Sequence, residues 1–295
     1  MQILFEDGHS IAGHELLSTR LRTDLVPVPV SLELVVKRTA DLSKRLIDQA
    51  KIWMNDWPLT IVKTEDYRSQ LLQDGKALGA IKVIAVLQGC ERLLYPTANA
   101  VILQGTSFAE AYRACGASVV FAEDIPLSDF VCLKGQIPTY EIAKALQLEA
   151  ACLRHTPKGL SVLRLDRLFV LDPVAAFDPS DVVWVSNQAV VAAAIPEVVS
   201  TASDNTTVRS DDDLNHRPVI YHARLDHRQI QNLKTVLVTK ATLQRPLNYE
   251  WQAGRSVLIG ERRFAILTAL HRTDTAPMGG NPVFASKLWL SEIGA

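Results

Sequence analysis

From Val26 the apolar residues Val26, Val28, Val30, Leu32, Leu34 and Val36 alternate with Pro27, Pro29, Ser31, Glu33 and Lys37, the period-two signature of a half-buried strand. Proline has no amide proton to give a neighbouring strand, so Pro27 and Pro29 predict that this strand begins at a sheet edge. Asp41 to Trp53 carries Leu42, Leu46, Ile47, Ala50 and Trp53 at a spacing that predicts one stripe on a short helix. Residues 81–87 and 98–103, rich in β-branched side chains and punctuated by Gly89, Pro96 and Gly105, read as further strands. The first hundred residues are therefore mostly β. Ile137-Pro138-Thr139 then opens a run to Cys152 in which Ile142, Ala145, Leu146 and Ala150 recur at helical spacing, with Thr139 as the expected cap. Lys158-Gly159 turns the chain into the alternating strand Leu160 to Leu165, and Asp172-Pro173 and Asp178-Pro179 break the chain beyond it, so the middle predicts a compact α/β unit.

The last eighty residues carry four strand-like runs, Leu233 to Thr239, Val257 to Ile259, Phe264 to Leu270 and Val283 to Leu290, with Gly260-Glu261 as a tight hairpin turn. Both faces of Phe264 to Leu270 are apolar or small, which predicts a central strand covered on both sides or set at a subunit contact. Between the middle and this region, Val182 to Val199 is apolar and Ser200 to Asn215 is polar, the latter expected to form a long exposed loop. No fixed-period repeat is present. These elements predict a fold that is mainly β, of the α+β kind.

The length of 295 residues suggests about two domains. Lys and Arg number 31 against 32 Asp and Glu, which leaves no net field to draw the chain onto nucleic acid or an anionic membrane. Cys90, Cys115, Cys132 and Cys152 are too widely spaced for C-x-x-C ligation of zinc or an iron–sulfur cluster and read as reduced core thiols. The opening Met1 to Asp7 lacks the basic and apolar regions of a secretory signal, so folding in the cytosol is expected. The longest uncharged stretch, Val182 to Pro196, is shorter than a spanning helix and is interrupted by Ser186-Asn187-Gln188, so no membrane insertion is expected.

Several stretches carry residue types suited to chemistry. Gly105-Thr106-Ser107-Phe108-Ala109 after a strand approximates a nucleophile elbow, with Ser107 as the attacking group of a serine hydrolase and Ala109 in place of the last glycine. The competing reading, which is favoured, is that Ser107 and Glu110 form an S-x-x-E capping box. A triad would also need a base and an acid; Asp166 or Asp172 with His216, His222, His227 or His271 supply the residue types, but nothing local selects among them. His14-Glu15 begins like H-E-x-x-H, yet Ser18 stands where the second histidine must be. His216, His222, Asp226 and His227 form the densest imidazole cluster; on a strand only His216 and His222 share a face, which favours a solvated or interface cluster over a metal site. Asp211 to Asp213 lacks the spacing of a calcium loop, and Asp74 to Gly79 fits neither dinucleotide nor P-loop patterns. Trp53, Trp57, Trp184, Trp251 and Trp289 are not interleaved with cations as a nucleic-acid stacking platform requires. No catalytic, cofactor-binding or metal-ligating residue is therefore assigned, and the chain reads as a non-enzyme.

The order of elements resembles the tail hub proteins of phages and related contractile injection machines. Four stretches carry the resemblance: Arg22 to Val30 leading into the first long strand; Phe130 to Pro138 followed by the helix from Thr139 to Glu149; Leu160 to Leu168; and Trp251 to Val257 with the strands Phe264 to His271 and Val283 to Leu290. The resemblance implies two barrel-like antiparallel β domains, residues 1–120 and 181–295, with a small α/β module at 121–180 between them. It further implies a homotrimeric ring of pseudo-six-fold shape at a tail tip or baseplate. Such a ring closes or extends the tail tube and contacts tail-tube or distal-tail, tape-measure and central fibre or spike proteins. On this reading the chain is a virion protein assembled in the host cytoplasm, free of cofactors, membrane insertion and sequence-specific nucleic-acid binding. The sequence length leads us to expect no fused lysozyme or peptidase domain. A hub or adaptor of a bacterial secretion machine is the neighbouring alternative.

Overall fold

The computed structural model describes residues 2–73, 76–185, 197–201, 205–209, 219–275 and 281–294, and is mainly β. Its first part contains β1 (Ile3–Phe5), β2 (Leu16–Asp24), β3 (Val30–Lys37), β4 (Lys51–Met54), β5 (Trp57–Gln73) and β6 (Lys76–Leu87), hydrogen-bonded antiparallel in the order β1-β4-β5-β6-β3-β2. The expected alternation is present in β3, where Val30, Leu32, Leu34 and Val36 are fully buried and Ser31, Glu33 and Val35 face the other way. The strand starts four residues later than the pattern suggested, and it lies inside the sheet between β2 and β6 rather than at an edge. Pro27 and Pro29 sit in the β2–β3 turn, where a missing N–H breaks no ladder, and the Tyr112 hydroxyl pins that turn by donating to the Pro27 carbonyl at 2.8 Å.

The helix expected over 41–53 is only half formed. α1 (Ala40–Arg45) buries Leu42, and the chain then leaves helical geometry, with Gln49 at φ 69°, so that Ala50 accepts from Ile61 and Trp53 joins β4. Pairing of β4 between β1 and β5 overrides the weak periodicity, because each strand residue gains ladder bonds that a short isolated helix cannot match.

The middle contains β7 (Val101–Ser107), α2 (Phe108–Ala114), β8 (Phe121–Glu123), β9 (Pro126–Cys132), α3 (Pro138–Leu148), β10 (Ala151–Thr156) and β11 (Gly159–Arg164). β7 pairs with β9, and β11 lies between β10 and β8. Thr139 is not the cap of α3: Ile137 occupies that position without a side-chain bond, and Pro138 takes the first helical turn, where its fixed φ suits the helix. The helix ends at Leu148, and Ala150 at φ 43° turns the chain into β10, which places Cys152 on a strand. Phe108, Tyr112, Ile142, Leu153 and Val162 share one apolar cluster with Leu32, Leu34, Leu59 and Val83, so the middle elements are anchored to the first sheet by a common core.

The remainder contains β12 (Pro173–Phe177), β13 (Val183–Trp184), β14 (Glu197–Thr201), β15 (Thr207–Arg209), β16 (Val219–Ala223), α4 (His227–Asn232), β17 (Val236–Pro246), β18 (Ser256–Ile259), β19 (Arg262–Asp274) and β20 (Val283–Gly294). The expected strands and the Gly260-Glu261 hairpin are found, except that Leu233 to Thr235 follow α4 and β17 starts only at Val236; Gly260 at φ 58° supplies the turn. β19 is central as expected: one edge pairs with β20, and the other is shared along its length by β18 and then β2. Through β2–β19 the strand path continues as β2-β19-β20-β17-β13, giving a twelve-stranded sheet whose path is open at β1 and β13. Part of the stretch expected to be a loop, 200–215, is instead paired: β15 lies antiparallel to β14, which also pairs in parallel with β16. Asp211 to Asp213, His216, Asp74, Gly75 and the Ser186 to Pro196 part of the apolar stretch lie outside the described residues. Among the described residues no helix is long and apolar enough to cross a membrane.

This small sheet is tied to the middle elements by Glu149, which is 2% exposed. The Arg228 guanidinium grips both its carboxylate oxygens, one at 2.9 Å, Arg164 approaches at 3.4 Å, and Asn232 donates to the neighbouring Leu148 carbonyl at 2.8 Å. Cores of this kind lose about 2–5 kcal/mol when a buried leucine is cut to alanine, whereas exposed positions change by roughly 0.5 kcal/mol or less. Leu34→Ala is expected to fall in the first range and Val26→Ala in the second, measured by urea unfolding.

Candidate functional site: the polar face of the long sheet

Because side chains alternate along each strand, the residues that face away from the core on β6, β3, β2, β19, β20 and β17 line up into one continuous surface. Register sets its rows. Ile84, Glu33, Arg20 and Arg272 are successive cross-strand partners, and Ser31, Arg22, Leu270, Lys287 and Gln244 form the next row. Glu33 accepts from Arg20 at 2.8 Å and lies 3.1 Å from Lys82; Arg22 pairs with Asp24 at 2.6 Å, and Asp24 also accepts from Thr268 at 2.5 Å. Arg272 pairs with Asp274 at 2.9 Å, and Lys287 lies over the Trp289 ring at 5.0 Å. Arg20, Arg22, Glu33, Ile84, Leu270 and Trp289 border a shallow depression of about 550 Å³. Solvent-facing pairs of this sort contribute roughly 0–1 kcal/mol each, so they do not hold the sheet together. They give a broad, solvent-facing surface of mixed charge with an apolar centre. Two strand edges in the second part add exposed apolar side chains, Val183 (70% exposed) and Trp184 on β13, and Val219, Ile220 and Tyr221 on β16.

The residues considered for chemistry are placed elsewhere, in structural tasks. Ser107 has extended geometry, φ −138° and ψ 169°, rather than a strained elbow, and its hydroxyl accepts from the Glu110 amide at 3.3 Å as the cap of α2. The reciprocal half of the expected box is not made, because the Glu110 carboxylate accepts instead from Thr106 at 2.7 Å. Asp166 and Asp172 are exposed and His271 is buried against Ser286, and among the described residues no Asp or His side chain hydrogen-bonds Ser107; His216 lies outside them. His14 is exposed in a turn and not on a helix. His222 lies on β16, but His227 opens α4, and Asp226 between them is that helix's cap: its carboxylate accepts from the Gln229 amide at 2.6 Å while the Gln229 side chain accepts in return from the Asp226 amide. The cluster is thus divided between β16, which carries His222, and α4, which carries His227, while His216 lies outside the described residues. Among the described residues no three His, Cys, Asp or Glu side chains stand close enough to hold a metal ion. Trp57 is packed against His155, Trp251 meets Phe177 edge-on at 5.5 Å, and Trp184 packs beside Phe264.

All four cysteines are buried and unpaired, and burial raises the thiols of Cys90, Cys115 and Cys152 to about 12. In native protein at pH 8 none of the four is expected to react with a colourless-to-yellow disulfide reagent, and all four should react in guanidinium; rapid native labelling would contradict this packing.

Sequence reasoning missed a row of buried polar groups where β2 meets β19. Thr19 and Thr273 share a hydrogen bond at 2.6 Å, Thr23 accepts from the Ala253 amide at 2.9 Å, and His271 Nδ1 meets the Ser286 hydroxyl at 2.8 Å. Ser286 in turn accepts from the Asn248 amide at 2.9 Å, and the Tyr249 ring lies 5.1 Å from that of His271. The partners are up to 254 residues apart, and no local pattern announces them. Burial lowers the His271 pKa from 6.5 to about 4. Between these values the unfolded chain takes up a proton that the folded one refuses, so this contribution to stability is constant above pH 6.5 and falls as pH drops toward 4, by up to about 3 kcal/mol. Urea midpoints at pH 7 and pH 4.5 should differ accordingly, and His271→Gln should flatten that difference.

The sequence itself matches no protein-family model and no curated protein. The three-dimensional arrangement does find counterparts: the chain has a fold found in phage tail proteins and in a bacterial secretion-system component. It superposes on the tail protein from Neisseria meningitidis MC58 with a TM-score of 0.62 and 13% identity, over 99% of this chain and 95% of that one. The prophage MuSo2 43 kDa tail protein from Shewanella oneidensis gives 0.62 and 10% identity over 98% of both chains. The Escherichia coli c3393 protein, a type VI secretion component described as similar to the T4 bacteriophage tail proteins gp27 and gp5, gives 0.56 and 8% identity over 100% of this chain and 77% of that one.

Proposed function

We propose that the chain is a structural virion protein, the hub of a phage tail tip or baseplate. Three copies form a ring that closes or extends the tail tube and joins it to distal-tail, tape-measure and central fibre or spike proteins. The observation that carries this reading is the end-to-end fold match to tail proteins, which spans nearly the whole of both chains. Within each copy, two curled halves act as barrel-like units with the small α/β module between them, divided near residues 120 and 180. The ordered polar face of the long sheet is the surface these units turn toward the ring, and the apolar strand edges are where copies or tail partners meet. The same fold in the Escherichia coli secretion component supports a second setting for this hub, a secretion machine rather than a virion. Ser107 caps a helix, so a serine hydrolase is not the favoured reading.

Native mass measurement and negative-stain imaging, alone and with a tail-tube partner, are expected to give a mass of three copies and a ring. A chain that stays monomeric with that partner, and never enters a particle, overturns the assignment.

A further inference from the structure

Between β8, the β10–β11 hairpin and the segment leading into β18 lies a cavity of about 340 Å³, bordered by Glu123, Arg154, His155, Lys158, Ser161 and Arg255. Three of these side chains are cations and one is a carboxylate. Arg154 is fixed in place: its Nη1 donates to the Gly254 carbonyl at 3.1 Å, and its stem lies so close to Gly254 that a Cβ there would stand 2.7 Å from Arg154 Cδ. Arg154 Nε and His155 Nδ1 are buried without a hydrogen-bond partner. The side chains of Arg255 and Lys158 form no ion pair or hydrogen bond among the described residues. The single carboxylate, Glu123, accepts from the Ser161 hydroxyl.

Such an arrangement is unfavourable on its own. Unpaired buried donors cost the full loss of their hydration, and two guanidinium groups at one cavity repel each other. Burial weighs against the charge on Arg154; Glu123 favours it, and Arg255 again opposes it. An oxyanion between the arginines removes the repulsion and accepts from their planar donors, which match carboxylate and phosphate oxygens in geometry. We propose that this cavity is an oxyanion-binding site, taking a phosphate group or a carboxylate presented on an acidic ligand or neighbouring chain. The site is complete within one copy and stands whether or not the chain forms a trimer.

The test is thermal unfolding of the full chain in phosphate, succinate or chloride at equal ionic strength. Phosphate or succinate is expected to raise the melting temperature by about 2 °C over chloride. General salting effects act on any folded surface alike, so the rise must depend on the cavity. Arg255→Gln, at an exposed position, should abolish the increment, and Glu123→Gln, which removes the opposing charge, should enlarge it. A larger increment with phosphate assigns a phosphate ligand, and a larger one with succinate a carboxylate. No increment with either anion, or an equal one in Arg255→Gln, overturns the site.

Discussion

The antiparallel pairing of β2 with β19 is the constraint on which the rest of the molecule depends. Seven residue pairs, from Thr268 opposite Asp24 to Asp274 opposite Ser18, make one sheet out of two halves whose main apolar cores are distinct. On its core side the join is filled largely by threonine, serine and histidine rather than by aliphatic side chains. A two-residue slide of one strand past another keeps the same apolar face buried, but hydroxyl and imidazole groups bonded to particular partners do not tolerate it. The polar row therefore sets the register in which the halves meet. On its outer side the same register sets Arg272 opposite Arg20 and brings the Thr268 hydroxyl onto Asp24, so the join also determines how polar groups are distributed over the broad face.

The parts of this fold that could be read from the sequence are those set by neighbouring residues. The alternation at Val30 to Val36, the central character of Phe264 to Leu270 and the Gly260-Glu261 turn all depend on side-chain period or on a single backbone angle. Reading failed where a distant partner decided the outcome. Asp41 to Trp53 has apolar residues at helical spacing, yet β1 and β5 claim its end as the strand Lys51–Met54. Thr139 is a good cap by type, but Pro138 had already fixed the first turn. Glu149, gripped from 79 residues away by Arg228, sits at the end of an ordinary helix with nothing beside it in sequence to mark it.

The incomplete catalytic motifs have a common physical explanation. Ser107 and Asp226 begin helices, where a short oxygen-bearing side chain satisfies amides that have no partner within the helix. His271 and Ser286 lie so deep in the sheet that their bond serves packing. Residues of the kinds that catalyse reactions are thus employed in holding ends and joins. The molecule offers outward a surface arranged by strand register into ordered rows.

The join between β2 and β19 also governs the order in which the chain acquires its shape as it is made. β1 to β6 pair among themselves within the first 87 residues, but the free edge of β2 waits for a strand that begins at Arg262. At about 5–20 residues per second of synthesis, that edge stands open for roughly 10–50 s while the intervening segments emerge. During this interval the half-made sheet is a template for the wrong strand, whether its own or a neighbour's. Arg20 and Arg22 already stand on that strand beside Glu33 and Asp24, and charged side chains along an edge strand discourage a second nascent copy from pairing with it before the proper strand arrives.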